Sequence, residues 1–213
     1  MLSPREAVSS RKSRRPWSAV SGLALAVALG GCASNSLVSE PEPDAGSVFE
    51  QRQSVLGQLE VWYASGRLAV SARKKSLNAT VRWNQNAEKY TIHLSGPLGF
   101  GGAKLVGVPG HVTLDADGKE HSATTPEALL AKVVGWKIPV VGLKFWLMGL
   151  IAPGLQIHDV RFDDSGRLEY LRQSGWEIRF LRYMATDSLD MPAKIFMDSP
   201  GLKVRIIVHA WGL

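Results

Sequence analysis

The side chains able to do chemistry are few and scattered. The chain of 213 residues holds one cysteine, Cys32, and five histidines, His93, His111, His121, His158 and His209. No two histidines stand at HExxH or another short ligand spacing, so no metal site is expected. No GxSxG elbow occurs, and beyond Cys32 no thiol remains to act as a nucleophile. The run Gly96-Pro97-Leu98-Gly99-Phe100-Gly101-Gly102-Ala103-Lys104 suggests a phosphate loop at first sight. The residue after Gly96-x4-Gly101 is Gly102 where a lysine is required, and read as GxGxxG from Gly99 the last position is Lys104. A glycine-rich hairpin loop is the expected reading. Catalytic groups need a mutual geometry that nothing in this pattern indicates, so no enzyme is expected.

The remaining chemistry is that of the Cys32 thiol as an acyl acceptor. Leu29-Gly30-Gly31-Cys32 resembles the lipobox of bacterial lipoproteins, and it stands where such a motif must stand. Residues 1–16 carry Arg5, Arg11, Lys12, Arg14 and Arg15 against Glu6, and the apolar run that follows ends at Leu29. That is a signal peptide, too short to span a bilayer. A lone cysteine is ordinarily a small buried hydrophobe; its place at the cleavage point decides otherwise. Cleavage would leave Cys32 as the first mature residue, with S-diacylglycerol on the thiol and an acyl chain on the new amino group, the only non-protein groups expected. Each buried methylene contributes about 0.8 kcal/mol, so several chains anchor durably where one does not. In the sorting rule of enteric lipoproteins, aspartate after the cysteine retains a protein in the inner membrane. Ala33 is not that signal, so the outer membrane is the expected address.

The charge balance changes once residues 1–31 are set aside. They hold five of the 25 Lys and Arg and one of the 19 Asp and Glu, leaving +2 of the formal +6 on the remaining 182 residues. A nucleic-acid partner therefore loses its main support. Residues 32–46, polar and with two prolines, read as a lipidated tether. Residues 47–213 are expected to form one domain stabilised by its core, since no disulfide is available.

The elements that must position any site follow in order. From Ser47, an expected N-cap, a helical period places Val48, Phe49, Val55, Leu56, Leu59 and Trp62 on one side and Glu50, Arg52, Gln53 and Gln58 on the other. The period then falls to two. Leu68, Val70 and Ala72 alternate with Arg67 and Ser71; Ala79, Val81 and Trp83 with Thr80 and Arg82; Tyr90, Ile92 and Leu94 with Thr91, His93 and Ser95. These are antiparallel strands with one wet face. Further strands are predicted at 103–108, 111–114, 156–162, 168–173, 176–182, 193–197 and 203–211. Turns are expected at Asp115-Ala-Asp-Gly118 and Asp163-Asp-Ser-Gly166. Between the two groups of strands, Thr125 should cap a helix with Pro126 at its first position and Glu127 in its first turn. A second helix is predicted from Pro139. Lys137, Pro139 and Lys144 interrupt the apolar stretch 133–151, which is therefore two short amphipathic helices and not a membrane span. Laid over a curved sheet, such helices enclose either a filled core or a lipid-sized cavity.

Taken in order, the lipobox at Cys32, the helix ending near Trp62, Ser65-Gly-Arg-Leu-Ala-Val70, Trp83, Leu94-Ser-Gly-Pro-Leu-Gly99, the helix toward Trp136 with Ile138-Pro139 after it, and Trp146-Leu-Met-Gly-Leu150 resemble the LolB family of outer-membrane lipoproteins. The resemblance implies an α+β fold, an open, strongly bent antiparallel β-sheet (a half-barrel) with helices covering a hydrophobic cavity. It implies a monomeric, lipid-anchored receptor facing the periplasm, one that accepts lipoproteins from the carrier LolA and inserts their acyl chains into the outer membrane. Expected partners are thus a LolA-like periplasmic carrier, cargo acyl chains and outer-membrane lipid. The family's membrane-touching loop falls on Pro97, Leu98, Gly99 and Phe100, with Leu98 as its exposed leucine. Trp83, Trp136, Phe145, Trp146, Met148 and Leu150 are the candidates for cavity wall and lid. The alternative is another envelope lipid-binding or structural lipoprotein without transfer activity.

Overall fold

A computed structural model describes residues 44–72, 75–96 and 101–213. The helix that opens them, α1 (Ala45–Gly57), begins two residues before the expected start. Asp44 caps it, its carboxylate accepting from the Gly46 and Ser47 amides, while the Ser47 hydroxyl donates back to the Asp44 carbonyl. Its inner face is Phe49, Arg52 and Leu56, spaced by three and four. Arg52, expected on the polar side, is buried, and Val55, expected inside, is 55% exposed. The Arg52 guanidinium donates to the Asp190 carbonyl and lies over the Tyr183 ring, which is how a charged group is accommodated there.

Among the described residues, eleven strands form one antiparallel sheet in the order β6-β5-β4-β3-β2-β1-β11-β10-β9-β8-β7. The first meander comprises β1 (Val61–Ala72), β2 (Lys75–Asn86), β3 (Lys89–Ser95), β4 (Gly102–Val108), β5 (His111–Ala116) and β6 (Lys119–Ala123). The second comprises β7 (Ile157–Phe162), β8 (Leu168–Gln173), β9 (Trp176–Met184), β10 (Met191–Ser199) and β11 (Leu202–Gly212). They join where β1 pairs with β11; β6 and β7 are the two edges, so the sheet is an open half-barrel. The connection between the meanders carries α2 (Pro126–Val133) and α3 (Val140–Leu147) across the inner face. The alternation read from the sequence holds at Val70 on β1, Ala79 and Trp83 on β2, and Ile92 on β3, all buried, whereas Trp62, expected at the end of the opening helix, lies on β1 because α1 stops at Gly57.

Strand β6 has no period-two signature because Lys-Glu-His-Ser-Ala is polar and short, the composition that protects a sheet edge. At β1 the pairing with β11 shifts between Ser65 and Gly66. A Cβ on Gly66 would stand 2.0 Å from the Ile207 carbonyl oxygen, so only glycine lets the two backbones approach there.

The interior differs along the sheet. Under α1 and α3, Leu168, Leu171, Ile178, Met191 and Ile195 are fully buried and the space is filled. The first meander is packed less completely, and that is where the site lies.

Candidate functional site

Beneath α2 and α3, against β1 to β5 and β11, is a cavity of about 120 Å³. Its floor is the inward row of the strands, among them Val70, Leu77, Val81, Trp83, Ile92 and Leu105; its roof is Leu130, Trp136, Ile138, Val140, Leu143 and Leu147. Among the described residues, Ser65 supplies the only hydroxyl of the lining. A space of this chemistry stays dry and takes apolar ligands; an engineered cavity of about 150 Å³ lined by aliphatic and aromatic groups binds benzene. The one chemistry available here is burial of hydrocarbon.

The roof is held at identifiable points. Thr125 caps α2 through the Ala128 amide (3.2 Å), with Pro126 at the first position, as predicted. Pro139 offers α3 no side-chain cap; the Glu127 carboxylate of α2 accepts from the Val141 amide instead (3.1 Å), joining the two helices. Lys144 donates to the Ala87 carbonyl in the β2–β3 turn (3.3 Å), and burial holds its ammonium below the ordinary lysine range against the opposing pull of Glu88 and Glu60. At the far end the Trp146 indole donates to Gln173 Oε1 (2.8 Å), which also accepts from the Ala152 amide; Gln173 Nε2 donates to the Ala152 and Leu155 carbonyls. Gln173 is fully buried and fully bonded. On the cavity side the roof is held by two lysines, Lys144 at the Ala87 carbonyl and Lys75 of β2 at the Val134 carbonyl that closes α2 (3.5 Å).

A row of aromatics crosses the floor, Trp211, Trp62, Trp83 and Tyr90 on β11, β1, β2 and β3, with successive ring centroids 5.8, 5.5 and 6.1 Å apart. It stands at the end away from the β3–β4 connection. At the other end the lining reaches Leu94 and Ala103, which pair one step before Ser95 and Gly102. Gly96 donates to the Gly101 carbonyl (2.9 Å), closing the β3–β4 connection. The glycine-rich run is thus a hairpin connection, as its failed phosphate motifs implied.

Of the side chains proposed from sequence, Trp83 and Trp136 line the cavity. Trp146 and Met148 are 1% and 2% exposed in the filled core, where Trp146 packs on Trp176 at 5.9 Å. Phe145 and Leu150 line a separate groove between α1 and the chain after α3. The roof residues that sequence reasoning did not single out, Leu130 and Leu143, carry no signal beyond being apolar on a short helix. Leu98, Phe100, Pro97 and Gly99 lie outside the described residues, as does Cys32. Among the described residues no three His, Cys, Asp or Glu side chains gather as a metal site, and no helix is long and apolar enough to cross a membrane.

A family model described as outer membrane lipoprotein LolB matches residues 60–211. The outer-membrane lipoprotein LolB of Nitrosococcus oceani is 41% identical over 174 residues, 81% of this chain and 87% of that one. Its counterpart in Halorhodospira halophila is 35% identical over 193 residues, 90% and 93% of the two chains. Among solved structures, a LolA superfamily protein of Nitrosomonas europaea gives a TM-score of 0.48 at 9% identity over 80% of this chain and 94% of that one, too distant a likeness to add to the fold described above. With the strands, the roof helices and the cavity all inside the matched span, the chain belongs to the LolB family of outer-membrane lipoproteins.

Proposed function

We propose that this protein is a lipoprotein-insertion receptor of the outer membrane, anchored through acylated Cys32 and facing the periplasm. It takes the acyl chains of a lipoprotein from a LolA-like soluble carrier and releases them into the membrane. The observation that carries this reading is the dry, apolar cavity roofed by two short helices. Transfer without nucleotide hydrolysis runs on a difference of binding energies: the receptor must hold the chains more tightly than the carrier and less tightly than a bilayer. As closed, the cavity seats about six carbons by comparison with the benzene site. Cargo therefore enters by lifting α2 and α3 off the floor. The anchor keeps the receptor at its target surface and raises its effective concentration there.

Two measurements test this. Depletion of the protein should leave other lipoproteins stalled on the soluble carrier; normal sorting after depletion would refute the receptor role. Leu143→Glu places a carboxylate in the roof, where an ionised group in a dry site costs several kcal/mol or is forced to take up a proton. The variant should fold and fail to accept cargo, read by displacement of an apolar fluorescent probe. Mass spectrometry of the mature N-terminus checks the acyl groups on Cys32.

A further inference from the structure

The face of the sheet turned away from the cavity carries a charge pattern that acyl binding does not use. In the outer face of β1, β2 and β11 is a groove lined by Arg67, Asn78, Thr80, Arg82 and Arg205, and it runs to Ser95 and Gly96, the root of the 97–100 segment. Register places these side chains in ranks. Arg67 stands opposite Thr80 and Thr80 opposite Ser95, so Arg67 is level with the last residue of β3. One rank further from the root, Arg82 stands opposite His93, and His93 opposite Lys104. Arg205 is opposite Ala69 on the remaining side.

The charges in this array are not equivalent. Arg205 is committed to Asp198 (2.7 Å) and rests over the Phe196 ring at 4.4 Å. Lys104 faces Asp115 across the strand pair. Arg67 and Arg82 are exposed and, among the described residues, have no carboxylate within salt-bridge distance. Two guanidinium groups are thus left on adjacent strands with threonine, asparagine and serine beside them, a donor-rich surface whose only acceptors are neutral. Guanidinium pairs of this kind suit phosphate oxygens, which they engage by two parallel N–H bonds.

Position selects the source of the phosphate. Arg82 lies two residues, roughly 7 Å along the strand, from the level of the β3–β4 root. The headgroup layer on each side of a bilayer is about 5–8 Å thick outside the hydrocarbon. With the Ser95–Gly102 end of the strand pair at the edge of the hydrocarbon, Arg67 and Arg82 fall in the headgroup layer.

We propose that this groove is a docking surface for anionic phospholipid headgroups, in which Arg67 and Arg82 bind headgroup phosphates and orient the domain so that the Leu94–Ala103 end of the cavity meets the bilayer. The inference rests on the membrane-touching role of the 97–100 segment. A cationic side chain near an anionic surface changes the docked population about five-fold, an effect that fades within a Debye length in salt.

The test uses the lipidated chain reconstituted in vesicles, with Ser76→Cys as the only free thiol and a fluorophore on it. Energy transfer to a headgroup-labelled acceptor lipid is compared between phosphatidylcholine vesicles and vesicles containing phosphatidylglycerol. Transfer should rise with the anionic lipid, fall in high salt and return to the phosphatidylcholine level in Arg67→Gln/Arg82→Gln, whose docked population drops roughly twenty-five-fold. Arg67→Lys/Arg82→Lys should retain most of the rise. Inorganic phosphate at constant ionic strength should not compete; competition would mean a free-anion site and overturn the headgroup assignment. Transfer that ignores lipid charge or the glutamine pair overturns the proposal. So does a glutamine pair that docks normally yet no longer receives cargo, because the groove would then serve an acidic protein surface. Docking is read before carrier or cargo is added. Its failure with cargo insertion intact leaves the receptor reading standing, whereas failed cargo acceptance by the unmutated chain counts against the receptor reading alone.

Discussion

Gln173 and Tyr90 illustrate opposite ways of burying a polar group. Gln173 uses its amide completely, joining Trp146 on α3 and Ala152 and Leu155 beyond it to β8. Gln173→Leu keeps the volume and strands the Trp146 indole and the Ala152 amide, each costing about 1–3 kcal/mol when left unpaired. We expect a loss of about 3 kcal/mol in denaturant unfolding with an unchanged slope. Tyr90 packs its ring over Gly107, where a Cβ would stand 2.2 Å from the ring, and among the described residues its hydroxyl has no partner. Burial first, and the charge of Glu127 second, push its pKa up from 10.0 to about 12. The unfolded chain then releases this proton at lower pH than the folded one, so stability is intact below pH 10 and falls as the pH rises toward 12. Tyr90→Phe should be neutral or slightly stabilising at neutral pH and should flatten the alkaline decline. Melting curves across that window check it, and an unchanged decline would place the cause elsewhere.

At the scale of elements, the roof depends on one helix capping the other. Helix α3 opens with Pro139 and has no side-chain cap of its own, so its first amides rely on Glu127 of α2. Glu127→Ala should cost about 0.5–2 kcal/mol, as the loss of an N-cap does. The loss should be local: faster amide exchange at Val141 and its neighbours, with the β8–β10 amides unchanged. Equal change throughout would mean that α2 and α3 are not a separate mobile unit. Helix α1 shows the limit of pattern reading at this scale. Its period put Arg52 among polar residues by type, whereas its spacing from Phe49 and Leu56 puts it on the buried face. What rescues the charge, Tyr183 and the Asp190 carbonyl, lies over a hundred residues away and leaves no trace in the local sequence.

For the whole molecule, the proposed function separates acceptance from release. Acceptance belongs to the cavity, release to the end where Leu94 and Ala103 reach the 97–100 connection. Leu98→Glu should still take a lipoprotein from the carrier and fail to pass it to liposomes, since a large apolar side chain contributes roughly 1.5–3 kcal/mol on full transfer to an apolar medium and a carboxylate opposes entry. The two steps are assayed separately on one mutant; equal loss of both, or of neither, would refute the division.

Much of this architecture is written locally. Alternation of period two is a property of the strand itself, so Val70, Val81, Trp83, Ile92 and Leu94 declared their inward direction before any fold was known. The Thr125-Pro126-Glu127 start of α2, the interruption of the 133–151 stretch and the failure of the phosphate motifs were equally legible, because caps, breakers and motif spacings act over a few residues. Which inward residues face a void and which fill a core was not legible. Trp136 and Trp146 are the same side chain ten positions apart, both beside apolar neighbours, yet one roofs the cavity and the other is locked to Gln173 and Trp176 in the filled half. That outcome is set by the pairing of β1 with β11 and by where the β6–β7 connection crosses the sheet. Packing is a matter of total volume among distant segments, and only the assembled tertiary structure decides it.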